Sequence, residues 1–305
     1  MRRPFSPHIF QGSLRSRQYF EGWYFKFVLD DEHFAVIPGI SLAPGDRHAF
    51  VQVIRGGSSN AQYHRVEVSR FAATRDPFEL TVGDSRFSLS QTEVRLPGFH
   101  CDLDLHSPVE WPATLTAPNT MGWYAYVPLM QCNHAVLIVD AEVTGEINGR
   151  PTSGRGYVEK DFGRSFPAAW VWLQSNSFAA AGTSVTCSIA RVPFLGGTLT
   201  GVLAGVLVGG TLYRFATYTG VRLDRLRRDG ETLHIAMHDR KRRLELAVRP
   251  APGALLRSPD EGRMIGTVRE TIDGEIDVRL TEGDDIVFKG TGRQAGVETE
   301  NMEVL

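Results

Sequence analysis

This sequence is short of helical periodicity and of the motifs that mark the commonest enzymes. No glycine-rich loop lies between a strand pattern and a helix pattern, and neither GxSxG nor HExxH occurs. Those absences exclude the usual phosphate-loop, hydrolase-elbow and zinc-protease chemistries. Only three cysteines are present, Cys101, Cys132 and Cys187, far apart and without a CxxC pair. They fit reduced, buried thiols rather than a disulfide framework or a zinc site. His234 and His238 stand four apart in an extended pattern, which separates them by about 13 Å, too far to share an ion. No metal and no cofactor is therefore expected.

Charge of one sign is lacking as well. The formal net charge is −2, so no cationic field draws the chain to nucleic acid. Basic residues at Met1-Arg2-Arg3 are followed by no apolar run of the signal-peptide kind, and a cytoplasmic location is the expectation. A long uncharged stretch with membrane-like composition, Val192 to Gly210, carries six glycines and a proline. Glycines at 197, 201, 205 and 209 would form one face of a helix, yet the composition suits a buried segment or peripheral membrane contact better than a span.

What the chain does have is alternation. Tyr19–Leu29, His33–Ile40, Ala49–Ile54, residues 63–68, 78–82, 86–90 and 101–109 read as short strands separated by turn residues. Gly122–Val127 reads as another, and His134–Asp140 with 141–149 as two more around a turn. After a polar, glycine-rich stretch at 151–156 the rhythm resumes at Ala169–Asn176 and continues to the end. At 305 residues the chain has room for two domains, so the pattern predicts an all-β protein: two antiparallel barrels side by side, residues 1–150 and 151–305.

Charged residues beside aromatic strands are the functional lead. In Phe20-Glu21-Gly22-Trp23-Tyr24-Phe25-Lys26, period-two geometry puts Glu21 on the face of Trp23 and Phe25, and Lys26 on that of Tyr24. A carboxyl group among aromatic rings loses solvation and becomes able to deliver a proton near neutral pH; an ion pair with an arginine at a barrel mouth is the plainer alternative. Glu159 and Asp161 share parity across Lys160, so two carboxylates face one way, although acidic residues before Gly163 are also ordinary turn chemistry. Trp170, Trp172, Gln174 and Asn176 share a face, half aromatic wall and half amide. That face suits an apolar ligand with a polar head, or a core strand running out into solvent.

The block at 19–26, together with Gly156-Tyr157-Val158-Glu159-Lys160-Asp161-Phe162-Gly163 and Trp170-Val171-Trp172-Leu173-Gln174-Ser175-Asn176, resembles the signatures of the tocopherol cyclase family. Asp161-Phe162 and Ser175 depart from the family pattern, where Asn-Trp and Cys stand. The resemblance implies a lipocalin-like two-domain β fold related to carotenoid hydratases. It implies acid-catalysed cyclisation, in which a proton added to a prenyl double bond lets a hydroquinone oxygen capture the cation. By position, Glu21, Glu159 and Asp161 become the candidate proton donors. Trp23, Tyr24, Lys26, Lys160, Trp170, Trp172, Gln174 and Asn176 become candidate substrate contacts, with a hydrophobic prenylated phenol or other isoprenoid as the partner. Hydration or isomerisation of an isoprenoid, and non-catalytic carriage of a lipid, are the alternatives.

Overall fold

The structure is a computed structural model that describes residues 3–127, 130–194 and 196–305. Alternation produces strands throughout, and the helices among the described residues are short 3-10 turns. The chain divides into two compact units, the first comprising residues up to Arg55, Asn60–Phe166 and Leu256–Val268, and the second Gly56–Ser59, Pro167–Leu255 and Arg269–Leu305.

The first unit holds β1 Phe20–Leu29, β2 His33–Ala43, β3 Asp46–Arg55, β4 Gln62–Val66, β5 Phe71–Ala73, β6 Leu80–Val82, β7 Ser85–Phe87, β8 Gln91–Leu96, β9 Phe99–Glu110, β10 Cys132–Ile147 and β11 Arg150–Gly163. They form one antiparallel sheet in the order β4-β3-β2-β1-β11-β10-β9-β8-β7-β6-β5. The sheet curls until its ends nearly meet, Val66 at the end of β4 lying beside Gly83 after β6. One apolar core fills it, from Trp23, Phe25 and Phe27 to Phe87, Leu103 and Val158.

The second unit is built on β12 Ala169–Ser175, β13 Ser184–Phe194, β14 Gly197–Val208, β15 Thr211–Ala216, β16 Arg222–Asp229, β17 Thr232–His238 and β18 Arg242–Arg249. To these the chain adds β19 Ala254–Asp260, β20 Arg263–Glu282 and β21 Asp285–Glu300. Their order is β15-β14-β13-β12-β21-β20-β18-β17-β16, with β19 on β20. This sheet stays open, and the expectation of two lipocalin-like barrels is corrected to one near-closed barrel and one open sheet. Strand rhythm gives the number and facing of strands. Closure depends on tilt and stagger, which alternation does not encode.

Three local expectations also change. Residues 132–147 are one strand, and register shifts near Ile138 accommodate what reads as a turn. Gly122–Tyr126 is a 3-10 helix rather than a strand, because the Asn119 carbonyl and side chain accept from the backbone N–H groups of Gly122 and Met121. The stretch from Val192 to Gly210 is a β-hairpin, not a helix; Val202, Ala204 and Val206 supply core, which explains its apolar character. Leu195, inside that stretch, lies outside the described residues.

Glycine-rich 151–156 belongs to β11, and there a side chain has no room: a Cβ on Gly154 would lie 2.1 Å from the Val28 carbonyl oxygen. Gly154→Ala is expected to cost about 1–3 kcal/mol, read as a lower urea midpoint with an unchanged slope.

Candidate functional site

Register between β1 and β11 sorts the signature residues. Trp23 stands opposite Lys160, Tyr24 opposite Glu159 and Lys26 opposite Tyr157. Directly opposed residues share a face, so Glu21, Trp23 and Lys160 point into the barrel core while Tyr24, Lys26, Tyr157, Glu159 and Asp161 lie on the other side. That second face is not a solvated one. Lys26 and Tyr157 are completely buried and Glu159 nearly so.

On the core side, Glu21 and Lys160 form an ion pair with no solvent exposure. Around it the N-terminal segment is tied down by its own backbone. The N–H of Gln11 donates to Glu21 at 2.8 Å, that of Gly12 at 3.1 Å, and the Tyr19 hydroxyl at 2.5 Å. Lys160 Nζ donates to the carbonyls of Pro7 and Ile9 at 2.8 and 2.5 Å and sits 4.4 Å over the Trp23 ring. The Trp23 indole N–H donates to the His8 carbonyl at 2.8 Å. Burial pushes the Lys160 ammonium down to about 8, with Glu21 holding it up against that loss, so it is still predominantly charged at neutral pH. Glu21, Trp23 and Lys160 thus act as a clasp on a strap of chain, with their polar atoms spent on it.

The other face gathers proton-bearing groups. His134, on β10 opposite Asp161, lies between two carboxylates: Nδ1 is 3.2 Å from Asp161 Oδ1 and Nε2 is 3.7 Å from Glu159 Oε2. The Tyr157 hydroxyl donates to Glu159 Oε2 at 2.5 Å. The result is a file of groups, Asp161, His134, Glu159 and Tyr157, that starts at a carboxylate with a quarter of its side chain exposed and ends in full burial. Burial opposes charge on His134, but Asp161 and then Glu159 outweigh it and raise its pKa to about 9, leaving an imidazolium at neutral pH. Cys132, near Asp161, is pushed well up by burial and then by that carboxylate, which keeps it a thiol.

His134 makes pH a test of this geometry. A group whose pKa rises on folding stabilises the fold fully below its ordinary value, 6.5 here, and loses that contribution as pH climbs through about 9. Denaturation midpoints are expected to fall across that window, and His134→Gln should flatten the fall.

His134, Glu159 and Asp161 also form a group whose ligand atoms lie within 4.8 Å of one another. An ion would take one imidazole nitrogen together with both carboxylates. Here each nitrogen faces its own carboxylate, an arrangement suited to passing a proton.

In the second unit, Trp170, Trp172 and Gln174 lie on the face of β12 opposite its core residues Val171 and Leu173. The Trp170 indole N–H donates to Glu298 on β21 at 2.9 Å. Trp172, Gln174 and Asn176 are buried, as is Glu270, which stands opposite Glu298. This face therefore joins aromatic rings to amides and carboxylates.

The candidate residues divide into three sets: the clasp of Glu21, Trp23 and Lys160; the file with Glu159 and Asp161, beside Tyr24 and Lys26; and the β12 face in the second unit. Sequence reading missed His134, Tyr157 and Glu270. Tyr157 shares parity with Glu159 and was within reach of the reasoning, whereas His134 is 25 residues from Glu159 and enters only through strand pairing.

The profile of the tocopherol cyclase-like family matches residues 102–300. A protein of Oryza sativa subsp. japonica described as a probable tocopherol cyclase of the chloroplast is 26% identical over 198 residues, which cover 61% of this chain and 42% of that protein. The chain thus spans less than half the length of that relative. Two solved folds are similar at a TM-score of 0.54. One, an AttH of Nitrosomonas europaea, is 13% identical, with 93% of this chain and 92% of the other covered. The second, CghA solved with Sch210972, is 14% identical over 92% of this chain and 88% of that one. A profile match through about two thirds of the chain establishes that it belongs to the tocopherol cyclase-like family.

Proposed function

We propose that this protein is an enzyme that protonates a double bond of an isoprenoid-bearing phenol, with Glu159 as the acid, and that the phenol oxygen closes a ring. The file Asp161–His134–Glu159–Tyr157 on a buried face is the observation that carries the reading. An alkene is a weak base and needs an acid of carboxyl strength. Imidazolium is too weak for that step and serves as the reservoir that loads Glu159 before the first turnover and replaces any proton it loses, drawing on solvent through Asp161.

The proton from Glu159 forms a C–H bond with the less substituted alkene carbon, using the π electron pair, and leaves a tertiary cation. A lone pair of the phenol oxygen forms the C–O bond, and the phenolic proton returns to the Glu159 carboxylate. The sum is an isomerisation that consumes no second reactant. Tyr24, directly across from Glu159, has a ring suited to steadying the cation, and burial keeps out the water that would otherwise capture it. Lys26, on the same face, carries an ammonium group suited to a substrate oxygen. In the second unit, Trp170, Trp172, Gln174 and Asn176 form a face suited to an apolar chain with a polar end.

Family membership and the description of the rice relative support ring closure over other fates of the cation. The test is incubation with prenylated hydroquinones in deuterium oxide, followed by mass spectrometry. Ring closure gives an isomer of the substrate with one carbon-bound deuterium in place of the phenolic hydrogen, whereas hydration adds the mass of a heavy water. No conversion of any isoprenoid would sink the reading.

A further inference from the structure

A second feature of the first unit lies outside the proton-transfer machinery. Four large apolar side chains stand in the open: Leu115 is 84% exposed, Phe5 50%, Tyr126 48% and Trp123 42%. They form one patch. In a 3-10 helix, residues three apart eclipse one another, so Trp123 and Tyr126 come off the same side of Gly122–Tyr126. The Phe5 ring meets the Tyr126 ring edge-on at 6.3 Å, and the Tyr126 hydroxyl donates to the Leu115 carbonyl at 2.8 Å. Trp123 stacks on Tyr124 with ring centroids 4.0 Å apart.

Water is a poor partner for such a patch, and its chemistry selects another. From Trp111 through Asn133 the sequence has no Asp, Glu, Lys or Arg, so seating this loop in an apolar medium buries no side-chain charge. Trp and Tyr carry an apolar body with a polar edge, the combination that lodges where lipid headgroups meet acyl chains. Exposed Arg3 lies at the rim, beside Pro4, Met121 and Ala125, and these residues line a cavity of about 10 Å³, room for one water, that reaches His134.

We propose that Phe5, Leu115, Trp123 and Tyr126 dock this protein on the surface of a lipid bilayer, with Arg3 toward anionic headgroups. The contact is peripheral, since no helix among the described residues is long and apolar enough to cross a membrane. It is also distinct from the Val192–Gly210 stretch, in which Val202, Ala204 and Val206 serve the core of the second unit. The docking reading does not depend on the proton step, and its test needs no turnover.

Flotation with phosphatidylcholine vesicles, with and without phosphatidylglycerol, measures it. Wild-type protein should float, more strongly with the anionic lipid. The combined variant Leu115→Ser, Trp123→Ser, Tyr126→Ser should lower the partition coefficient roughly tenfold or more. A readout on intact protein guards against misfolding of that variant. The other tryptophans, Trp23, Trp111, Trp170 and Trp172, are buried or half-buried, so bromine-labelled acyl chains should quench Trp123 selectively, and Trp123→Phe should abolish most of the quenching while still floating. Failure to float, or absence of Trp123 quenching, overturns the proposal. A concentration-dependent dimer in solution that the triple substitution dissolves, without vesicle binding, overturns it in favour of a second copy as occupant.

Discussion

Glu159→Gln is expected to lower isoprenoid turnover by about a hundredfold to ten-thousandfold, the range general acids contribute. Glutamine has nearly the same shape and can still accept from the Tyr157 hydroxyl, so the thermal midpoint should move little. What it cannot do is release a proton to carbon. Asp161→Asn should act differently: it leaves the acid in place but removes the nearer of the two carboxylates that hold His134 charged, and the alkaline limb of the pH–rate profile should move to lower pH. The acid itself stays in place, so part of the activity should survive. Equal and complete loss in both variants, with folding intact, would fit substrate binding rather than a directional file. Full activity in Glu159→Gln would remove Glu159 as the donor.

The second large effect concerns stability. Lys160→Met leaves Glu21 buried with its cation gone, and breaking a buried pair from one side costs on the order of 3–5 kcal/mol. It also removes the two donors that hold the Pro7 and Ile9 carbonyls, so the strap should loosen first. Amide exchange at Gln11 and Gly12, whose N–H groups donate to Glu21, should rise ahead of exchange in β2 and β3. Adding Glu21→Gln to Lys160→Met should recover part of the lost stability, because no unpaired charge then remains. A lysine replacement that changes neither the urea midpoint nor strap exchange would show that the clasp carries no load.

These two results would separate roles that adjoining signature residues hide. Lys160 sits between Glu159 and Asp161 in sequence but belongs to the opposite face of β11. Alternation alone assigned the carboxylates to one face and the lysine to the other, and alternation placed Glu21 with Trp23 and Lys26 with Tyr24, as the registers have them. The all-β class, most strand positions and the family were likewise legible, because period-two patterning and local motifs are properties of neighbouring residues.

What surrounds each face was not legible. The partner of Glu21 is Lys160, 139 positions on, rather than an arginine, and the pair is closed over by chain from before β1. His134 reaches Glu159 and Asp161 only because β10 lies beside β11 in a register that bulges near Ile138. Closure of one sheet and not the other was equally beyond the sequence pattern. The division has one physical cause. A strand's own residues decide which way each side chain points, whereas pairing, stagger and the path of distant chain decide what it meets there, and proton transfer depends on the meeting.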